Sequence, residues 1–288
     1  MREPGIGSRE SGARGHRRLA CRLLGAVLLV ATAGSLLAHD LFLKPDDFFP
    51  APGAEVTVRV LNGTFSLSEN SVTKDRVRDI SLVGPSGASR LDTTVWSDRG
   101  DTSVLAVRTG AEGTYVIGAS ILPRALRLEA KEFNDYLASD GVPDVLAARR
   151  RDGELNFPAR ERYSKHVKAV VQAGSARTSG FDHVLGYPAE LVPLDNPYSL
   201  RPGASLRVRA LVDGAPVAGQ LVISGGRTPR GGRIAQRSAR TDADGVVRVR
   251  VGSPGAWYVK FIHMARVTAD TSIDYESKWA TLTFGVRQ

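Results

Sequence analysis

The feature that most constrains the fold is a repeated alternation of apolar and polar residues, rich in valine. Period two places successive side chains on opposite faces of a strand, so each such stretch predicts a half-buried β-strand. Turn-forming residues separate the stretches, as in DADG at 242–245. Short strands joined by turns predict a mainly β protein made of antiparallel sandwiches. The alternating stretches are AEVTVRV (54–60), SVLAVR (103–108), GASLRVRALV (203–212), GVVRVRV (245–251) and AWYVKFIHM (256–264).

An internal similarity indicates how the strands are grouped. The stretch FLKPDDFFPAPGAEVTVRVLNG (42–63) is similar to ELVPLDNPYSLRPGASLRVRALVDG (190–214). Each has an apolar-proline start, a Pro-Gly pair, an alternating strand and a glycine turn. We therefore predict two β-sandwich domains, Ig-like or transthyretin-like, over 39–123 and 187–288.

The segment between them, 124–186, is predicted to be a partly helical connection. Phe133, Tyr136 and Leu137 have the spacing of one face of a helix. The stretch PARERYSKHVKAVVQAG (158–174) fits an amphipathic helix and a valine-rich strand equally well. Both alternatives stay open at this point.

The start of the chain has the order of a secretory signal peptide: basic residues, an apolar run and a small residue. The uncharged run LLGAVLLVATAGSLLA (23–38) ends at Ala38 and is shorter than the roughly 20 residues of a membrane span. We predict export, to the periplasm or beyond, with cleavage after Ala38; the alternative is an uncleaved membrane anchor at 23–38. The only cysteine, Cys21, lies in this segment, so the mature protein has no disulfide partner.

The charge of the chain does not indicate nucleic-acid binding. The formal net charge is +9, but the segment before His39 holds six of the arginines and only two of the acidic residues. The remainder mixes both signs and has no long basic run, whereas nucleic-acid binding normally needs a clustered basic patch. We expect no nucleic-acid partner.

The order of six segments resembles the DUF4198 family of exported bacterial proteins, some of which are described as NikM-type components of nickel or cobalt uptake. The resemblance extends from about residue 38 to 285. It implies binding of a divalent transition metal, nickel or cobalt with copper as a third option, and an inner-membrane metal transporter or outer-membrane receptor as partner. The last segments also resemble transthyretin-like regulatory modules of carboxypeptidases, which implies a sandwich and no chemistry. The six segments are AHDLFLKPDDFFPAPGAEVTVRV, EFNDYLASDG, RERYSKHVKAVVQAG, LGYPAELVPLDNPYSLRPG, TDADGVVRVRVGSPGAWYVKFIHM and ESKWATLTF.

His39 is the sharpest candidate for a metal ligand. A cut after Ala38 would make it the first residue, with a free amine and the ring Nδ1 able to chelate one ion. Amine and imidazole nitrogens suit Cu(II), Ni(II) and Co(II). The amine has a pKa near 8, so it releases its proton readily to a metal. The alternative is a solvent-exposed terminal histidine with no ligand.

Three further residues are candidate ligands, each with an ordinary alternative. His263 shares a strand face with Phe261, which predicts either the second ligand of His39 or a core histidine bonded within the protein. His183 lies in a loop beside Asp182, where ligands are common and solvated histidines are commoner. Glu276 could supply a carboxylate near His263 if their strands pair, or could be a charge that protects a sheet edge.

These observations predict an exported metal-binding protein, accessory to nickel or cobalt uptake or handling. No Ser-His-Asp, Cys-His or paired-carboxylate arrangement stands out by its spacing, so we do not expect an enzyme. Two alternatives remain. One is a structural or adhesive β-sandwich module of the cell envelope that binds no metal. The other is an oxidase that uses a copper brace at His39.

Overall fold

The computed structural model describes residues 39–201 and 203–287. The predicted signal peptide, its alternative as an anchor, and Cys21 lie outside these residues. Within the described part, no helix combines the length and hydrophobicity needed to cross a bilayer. The α-helices are α1 (Ala130–Ser139) and α2 (Pro143–Arg151). The strands are β1 (Asp40–Pro45), β2 (Glu55–Gly63), β3 (Val77–Gly84), β4 (Gly87–Arg90), β5 (Trp96–Arg99), β6 (Thr102–Arg108), β7 (Gly113–Leu128), β8 (Ala159–Ala173), β9 (Ala189–Pro193), β10 (Ser205–Val212), β11 (Ala215–Pro216), β12 (Leu221–Arg227), β13 (Arg233–Arg240), β14 (Val246–Arg250), β15 (Gly255–Arg266) and β16 (Tyr275–Val286).

The strands form three sheets. The largest, called here the central sheet, has the order β13-β12-β15-β16-β8-β7-β3-β4. The amino sheet has the order β1-β2-β6-β5, and the carboxy sheet consists of β11, β10 and β14 with β9 also paired to β10. Among the described strands, every pair is antiparallel except that of β16 with β8, which is parallel. The prediction of a mainly β protein is confirmed.

The predicted division into two sandwiches joined by a helical connection is not confirmed. Strand β7 runs across the predicted boundary at 123, and β8 from the predicted connection pairs with β7 on one side and β16 on the other. The central sheet therefore takes strands from all three predicted segments. The stretch 158–174, for which helix and strand were both open, contains strand β8.

Strand β8 is buried on both faces, and this explains its ambiguous sequence. Val170 belongs to the core that includes the carboxy sheet, whereas Ala169 and Val171 belong to the core that includes the amino sheet. Neighbouring residues of a strand point to opposite faces, so the amino and carboxy sheets cover opposite sides of the central sheet. A strand buried on both faces is a continuous apolar run without alternation. HVKAVVQAG has this composition.

Helix α1 packs on the same side of the central sheet as the amino sheet. Its buried residues Phe133, Tyr136 and Leu137, which the helical spacing predicted, form a core with Trp279 of β16. Two positions farther along β16, Thr281 donates a hydrogen bond of 2.8 Å to the carbonyl of Leu41 in β1. Helix α1 and β1 are thus neighbours on one face of β16. The candidate site lies where they meet.

Candidate functional site

The two residues that follow the predicted cut are fixed by two lysines of the central sheet. A chain end formed there would normally fray, because terminal residues have few contacts. Here Lys165 donates hydrogen bonds to the carbonyl oxygen of His39 and to Oδ1 of Asn62, the latter at 3.1 Å. Lys260 donates to Oδ2 of Asp40 at 2.5 Å. Buried lysines of the central sheet therefore hold the backbone of His39 and the side chain of Asp40.

The two lysines are both buried, but their charges are balanced differently. Burial lowers the pKa of Lys165 to about 8. The rings of Tyr163 and Trp279 lie 5.4 Å and 5.3 Å from its ammonium, close enough for cation-π attraction. Burial also lowers the pKa of Lys260, but the charge of Asp40, the hydrogen bond to it and the charge of Asp140 act together against this effect, and the net direction is upward. Lys260 and Asp40 therefore form a lasting ion pair.

The ring of His39 is oriented by Glu69, with His39 Nε2 3.2 Å from Glu69 Oε2. A loop that folds back over the end of β2 brings Glu69 there. The Glu69 N–H donates to the carbonyl of Asn62 at 2.9 Å. A Cβ at Gly63 would lie 2.6 Å from the carbonyl oxygen of Leu67, so only glycine permits this close return. Within the described residues, Nδ1 of His39 has no hydrogen-bond partner.

Asp140 adds a second carboxylate to the same cleft. It ends helix α1, where its N–H donates to the carbonyl of Tyr136 at 3.0 Å, and Gly141 follows with a φ of 89°. Burial raises the pKa of Asp140 to about 6. Asp140, His39 and Glu69 line one cleft of about 390 Å³. The cleft therefore combines the imidazole of His39 with the carboxylates of Glu69 and Asp140, beside Asp40, which is paired with Lys260.

A buried carboxyl group, Glu161, lies on the same face of the central sheet as Lys165. Its Oε1 accepts hydrogen bonds from Tyr136, at 3.1 Å, and from Ser277. Its Oε2 is buried and has no partner among the described residues, and the same holds for Oδ1 of Asp40. Burial raises the pKa of Glu161 to about 7. The protein thus keeps unsatisfied polar atoms beside the residues that anchor His39, an exception to the usual pairing of buried groups.

The structure does not bring His263 to His39, so its geometry gives no support to the prediction of a two-histidine site. His263 lies in β15 on the face of Val259 and Phe261, which belong to the core with the carboxy sheet. Lys260, which holds Asp40, is an odd number of positions away and therefore points to the opposite face. The Nδ1 of His263 is 3.1 Å from Oε1 of Gln220. This is the ordinary role of a histidine bonded within the protein.

The other two predicted ligands have separate environments. His183 is an exposed loop residue, and its carbonyl accepts a 3.1 Å hydrogen bond from Lys168. Strands β15 and β16 pair with Glu276 opposite Ala265, which puts Glu276 on the face of His263. Its carboxylate instead bonds Arg162 at 3.1 Å. Across residues 39–201 and 203–287, no three His, Cys, Asp or Glu side chains form a group able to hold a metal.

The sequence analysis did not identify Glu69, Asp140, Lys165 or Lys260. Lys260 left a signal, because it interrupts the apolar strand AWYVKFIHM at an interior position, whereas Lys165 lies between Ser164 and His166 in a polar stretch of β8. A lysine in a strand interior is rarely buried unless it has a partner. Glu69 and Asp140 left no such signal, because each follows a turn or helix end where an acidic residue is ordinary.

Comparison with known proteins supports a family and gives no function. A family model described as "Domain of unknown function (DUF4198)" matches residues 36–265. No curated protein matches the chain. A solved two-domain fibronectin type III segment from chicken tenascin is 11% identical, and the match covers 85% of this chain and 97% of that one with a TM-score of 0.21. A score that low carries no argument about the fold. The family predicted from the sequence is confirmed, and its NikM-type description stays a prediction.

Proposed function

The chain belongs to the DUF4198 family, and we propose that this member binds a divalent transition metal ion at His39 after export and cleavage behind Ala38. Nickel and cobalt are the ions that the resemblance to NikM-type proteins suggests, and copper is the alternative. The observation that carries the proposal is the anchoring of His39 by Lys165 and Glu69 in a cleft with a second carboxylate. A residue with no function at a chain end has no need of such support.

The chemistry of the cleft suits a cation with a preference for nitrogen. Cleavage would free the amine of His39, which with Nδ1 gives two nitrogens on one residue. Glu69 would keep the ring oriented by accepting the Nε2 hydrogen, as carboxylates commonly do for metal-bound histidines. Asp140, whose pKa is about 6, is ionised at neutral pH and is the candidate third ligand. The carboxylates of Glu69 and Asp140 also attract a divalent ion, against the opposing charges of Arg227 and Arg233 in the same cleft.

The proposal requires the amine, and this makes the cut a condition for binding. In an uncut chain the nitrogen of His39 belongs to a peptide bond and is a poor ligand. Binding should weaken as pH falls, because both the amine and the imidazole must lose protons. We further propose that the loaded protein delivers its ion to a membrane transporter or receptor for metals.

The experiment combines mass spectrometry and calorimetry. Intact-mass measurement of the exported protein should give a chain that starts at His39. Titration with Ni²⁺, Co²⁺ and Cu²⁺ should show binding that is lost on adding one alanine before His39, which moves the amine and retains the ring. His39→Ala should abolish binding as well. His183→Ala is the matched control and should leave the affinity unchanged, because His183 is exposed and outside the cleft.

Two results would oppose the proposal. Equal affinities of the native, extended and His39→Ala proteins would remove His39 from any site and favour a structural envelope module. A mature protein that starts at another residue would have no free α-amine on His39, and the proposed two-nitrogen chelate could not form. The copper-brace oxidase is not favoured, because a brace needs a second histidine. Among the described residues, His166 and His263 point to the other face of the central sheet and His183 lies in an exposed loop.

A further inference from the structure

A second and larger cleft, called here the basic groove, has a volume of about 1050 Å³. Its walls come from the end of β1, the hairpin between β12 and β13, the start of β15 and the end of β16. Arg227 lines both this groove and the cleft of His39. The groove has the size of sites that take small molecules.

Four cationic side chains line the groove, and the local carboxylates do not balance them. The cations are Lys44, Arg59, Arg227 and Arg287. Asp46 lies 2.7 Å from Arg59 Nε, and Asp47 accepts a hydrogen bond from the backbone of the loop that follows β1. No carboxylate of the described residues forms an ion pair with the other three cations.

Lys44 shows that these cations converge. Burial lowers its pKa, and the charges of Arg59 and Arg227 lower it further. Its ammonium donates a 3.0 Å hydrogen bond to the carbonyl of Phe65, which fixes it at the wall of the groove. Asp46 only partly offsets these charges. Like charges held together with too few counterions destabilise a folded protein, and a bound anion would reduce that cost.

Arg287 gives the groove a two-point hydrogen-bond donor for oxyanions. Its guanidinium lies 3.8 Å from the ring centroid of Phe49. Stacking of this kind holds the guanidinium plane fixed and leaves the N–H edge able to bond carboxylate or phosphate at two points. Arg287, stacked on Phe49 at one wall, and Lys44, bonded at another, give two points of attachment.

We propose that the basic groove binds a small oxyanion that carries two or more negative charges, an organic polycarboxylate or a polyphosphate. Two attachment points favour a multivalent anion over a monovalent one. The volume of about 1050 Å³ is that of a small-molecule site. This site needs no metal, and it does not depend on the amine of His39.

The test is calorimetric titration of metal-free protein with citrate, pyrophosphate and acetate at low ionic strength. Metal is removed on a chelating resin, because soluble EDTA is itself a polycarboxylate. Citrate or pyrophosphate should bind, and which of them binds identifies the chemistry; acetate should not. Arg227→Gln and Arg287→Gln should each weaken binding about tenfold, since each removes a charge-assisted hydrogen-bond donor. Arg250→Gln, at an exposed position of β14, is the matched control and should change nothing.

Thermal unfolding without ligand checks that each variant folds. Absence of binding by the native protein would overturn the proposal. Equal binding by the native protein and both groove variants would reduce it to non-specific charge attraction. Binding to phosphatidylglycerol vesicles without binding to either small anion would also overturn it and would favour a membrane surface. Metal binding at His39 should persist in Arg287→Gln, so the two proposals can fail separately.

Discussion

The two faces of strand β8 hold buried charges in contrasting ways. On the face toward the carboxy sheet, Lys168 and Glu190 form an ion pair in which both side chains are almost fully buried. Glu190 also accepts hydrogen bonds from the backbone of Leu185, at 3.0 Å, and of Tyr187, at 2.8 Å. Lys168 donates to the carbonyl of His183. Both charged groups of this pair therefore have an opposite charge and further hydrogen bonds within the protein.

On the face toward the amino sheet, the charges are less completely matched. Glu161 keeps a buried oxygen without a partner among the described residues, and Lys165 donates to a carbonyl and an amide. Burial places the pKa values of Asp140, Glu161 and Lys165 at about 6, 7 and 8. Saturated pairs are typical of structural roles, whereas unmatched groups that titrate near neutrality are typical of functional sites. The contrast is the one expected if the carboxy-sheet face is structural and the amino-sheet face carries the proposed site.

The largest expected effect tests the structural face. Glu190→Gln would leave Lys168 buried without its carboxylate, and breaking a buried pair from one side costs about 3–5 kcal/mol. Urea unfolding should show this loss in the free energy of unfolding. Glu276→Gln is the control, because its pair with Arg162 is partly exposed and should contribute at most about 1 kcal/mol. Equal losses for the two variants would contradict the contrast.

The second effect tests the other face through pH. The pKa of Glu161 is raised from 4.5 to about 7, so the folded state holds a proton that the unfolded state has released between these values. Its contribution to stability is fully present below pH 4.5 and is lost as pH rises through 7, about 3 kcal/mol in all. Glu161→Gln cannot titrate and should lack this loss.

The free energy of unfolding of the native and Glu161→Gln proteins at pH 5 and pH 8 measures this loss of stability. The variant should gain stability relative to the native protein at pH 8, even though both lose stability from Asp140. Lys165 acts in the opposite direction and only above pH 8, where its lowered pKa makes stability rise with pH. A constant difference between variant and native protein at the two pH values would show that Glu161 is ionised throughout.

The third effect concerns metal affinity at His39. Glu69→Gln would weaken the orientation of the ring at Nε2 without removing a proposed ligand. Loss of a carboxylate that supports a metal-bound histidine typically costs 10–100-fold in affinity, and we expect about tenfold because Glu69 is partly exposed. Calorimetry with Ni²⁺ measures it. If the Glu69→Gln protein binds Ni²⁺ as tightly as the native protein while His39→Ala does not bind it, Glu69 has no part in the site.

The sequence predicted the strands well and their assembly poorly. Alternation marks a strand that is buried on one face, and β10 and β14 lie where it predicted them; β15 also lies at its predicted place, although it is buried on both faces. It gives no information about which strands pair. The parallel pairing of β8 with β16 joins residues more than a hundred positions apart, and no local pattern encodes it. This pairing is what unites the predicted domains in one sheet.

Of the residues in the candidate site, only His39 could be predicted from the sequence. His39 stood out because it follows a potential cleavage position. Its partners Glu69 and Asp140 arrive from a loop and a helix end, and Lys165 from a strand of another sheet. The cations of the basic groove are equally scattered, from Lys44 to Arg287, so an absence of basic runs in the sequence did not exclude a basic site. Proximity of this kind depends on the topology of the sheets.

The smallest expected effect, on both stability and metal affinity, is that of His263→Gln. The ring of His263 lies at 3.1 Å from the amide oxygen of Gln220, and burial lowers its pKa, so it is a neutral hydrogen-bonding group. A glutamine can replace one such bond at similar size, so the free energy of unfolding should change by less than about 1 kcal/mol. Affinity for Ni²⁺, Co²⁺ and Cu²⁺ should stay within about twofold of the native value, because His263 lies across the central sheet from His39. A tenfold loss of metal affinity with unchanged stability would mean that the two faces cooperate in binding, and the assignment of function to one face would then be wrong.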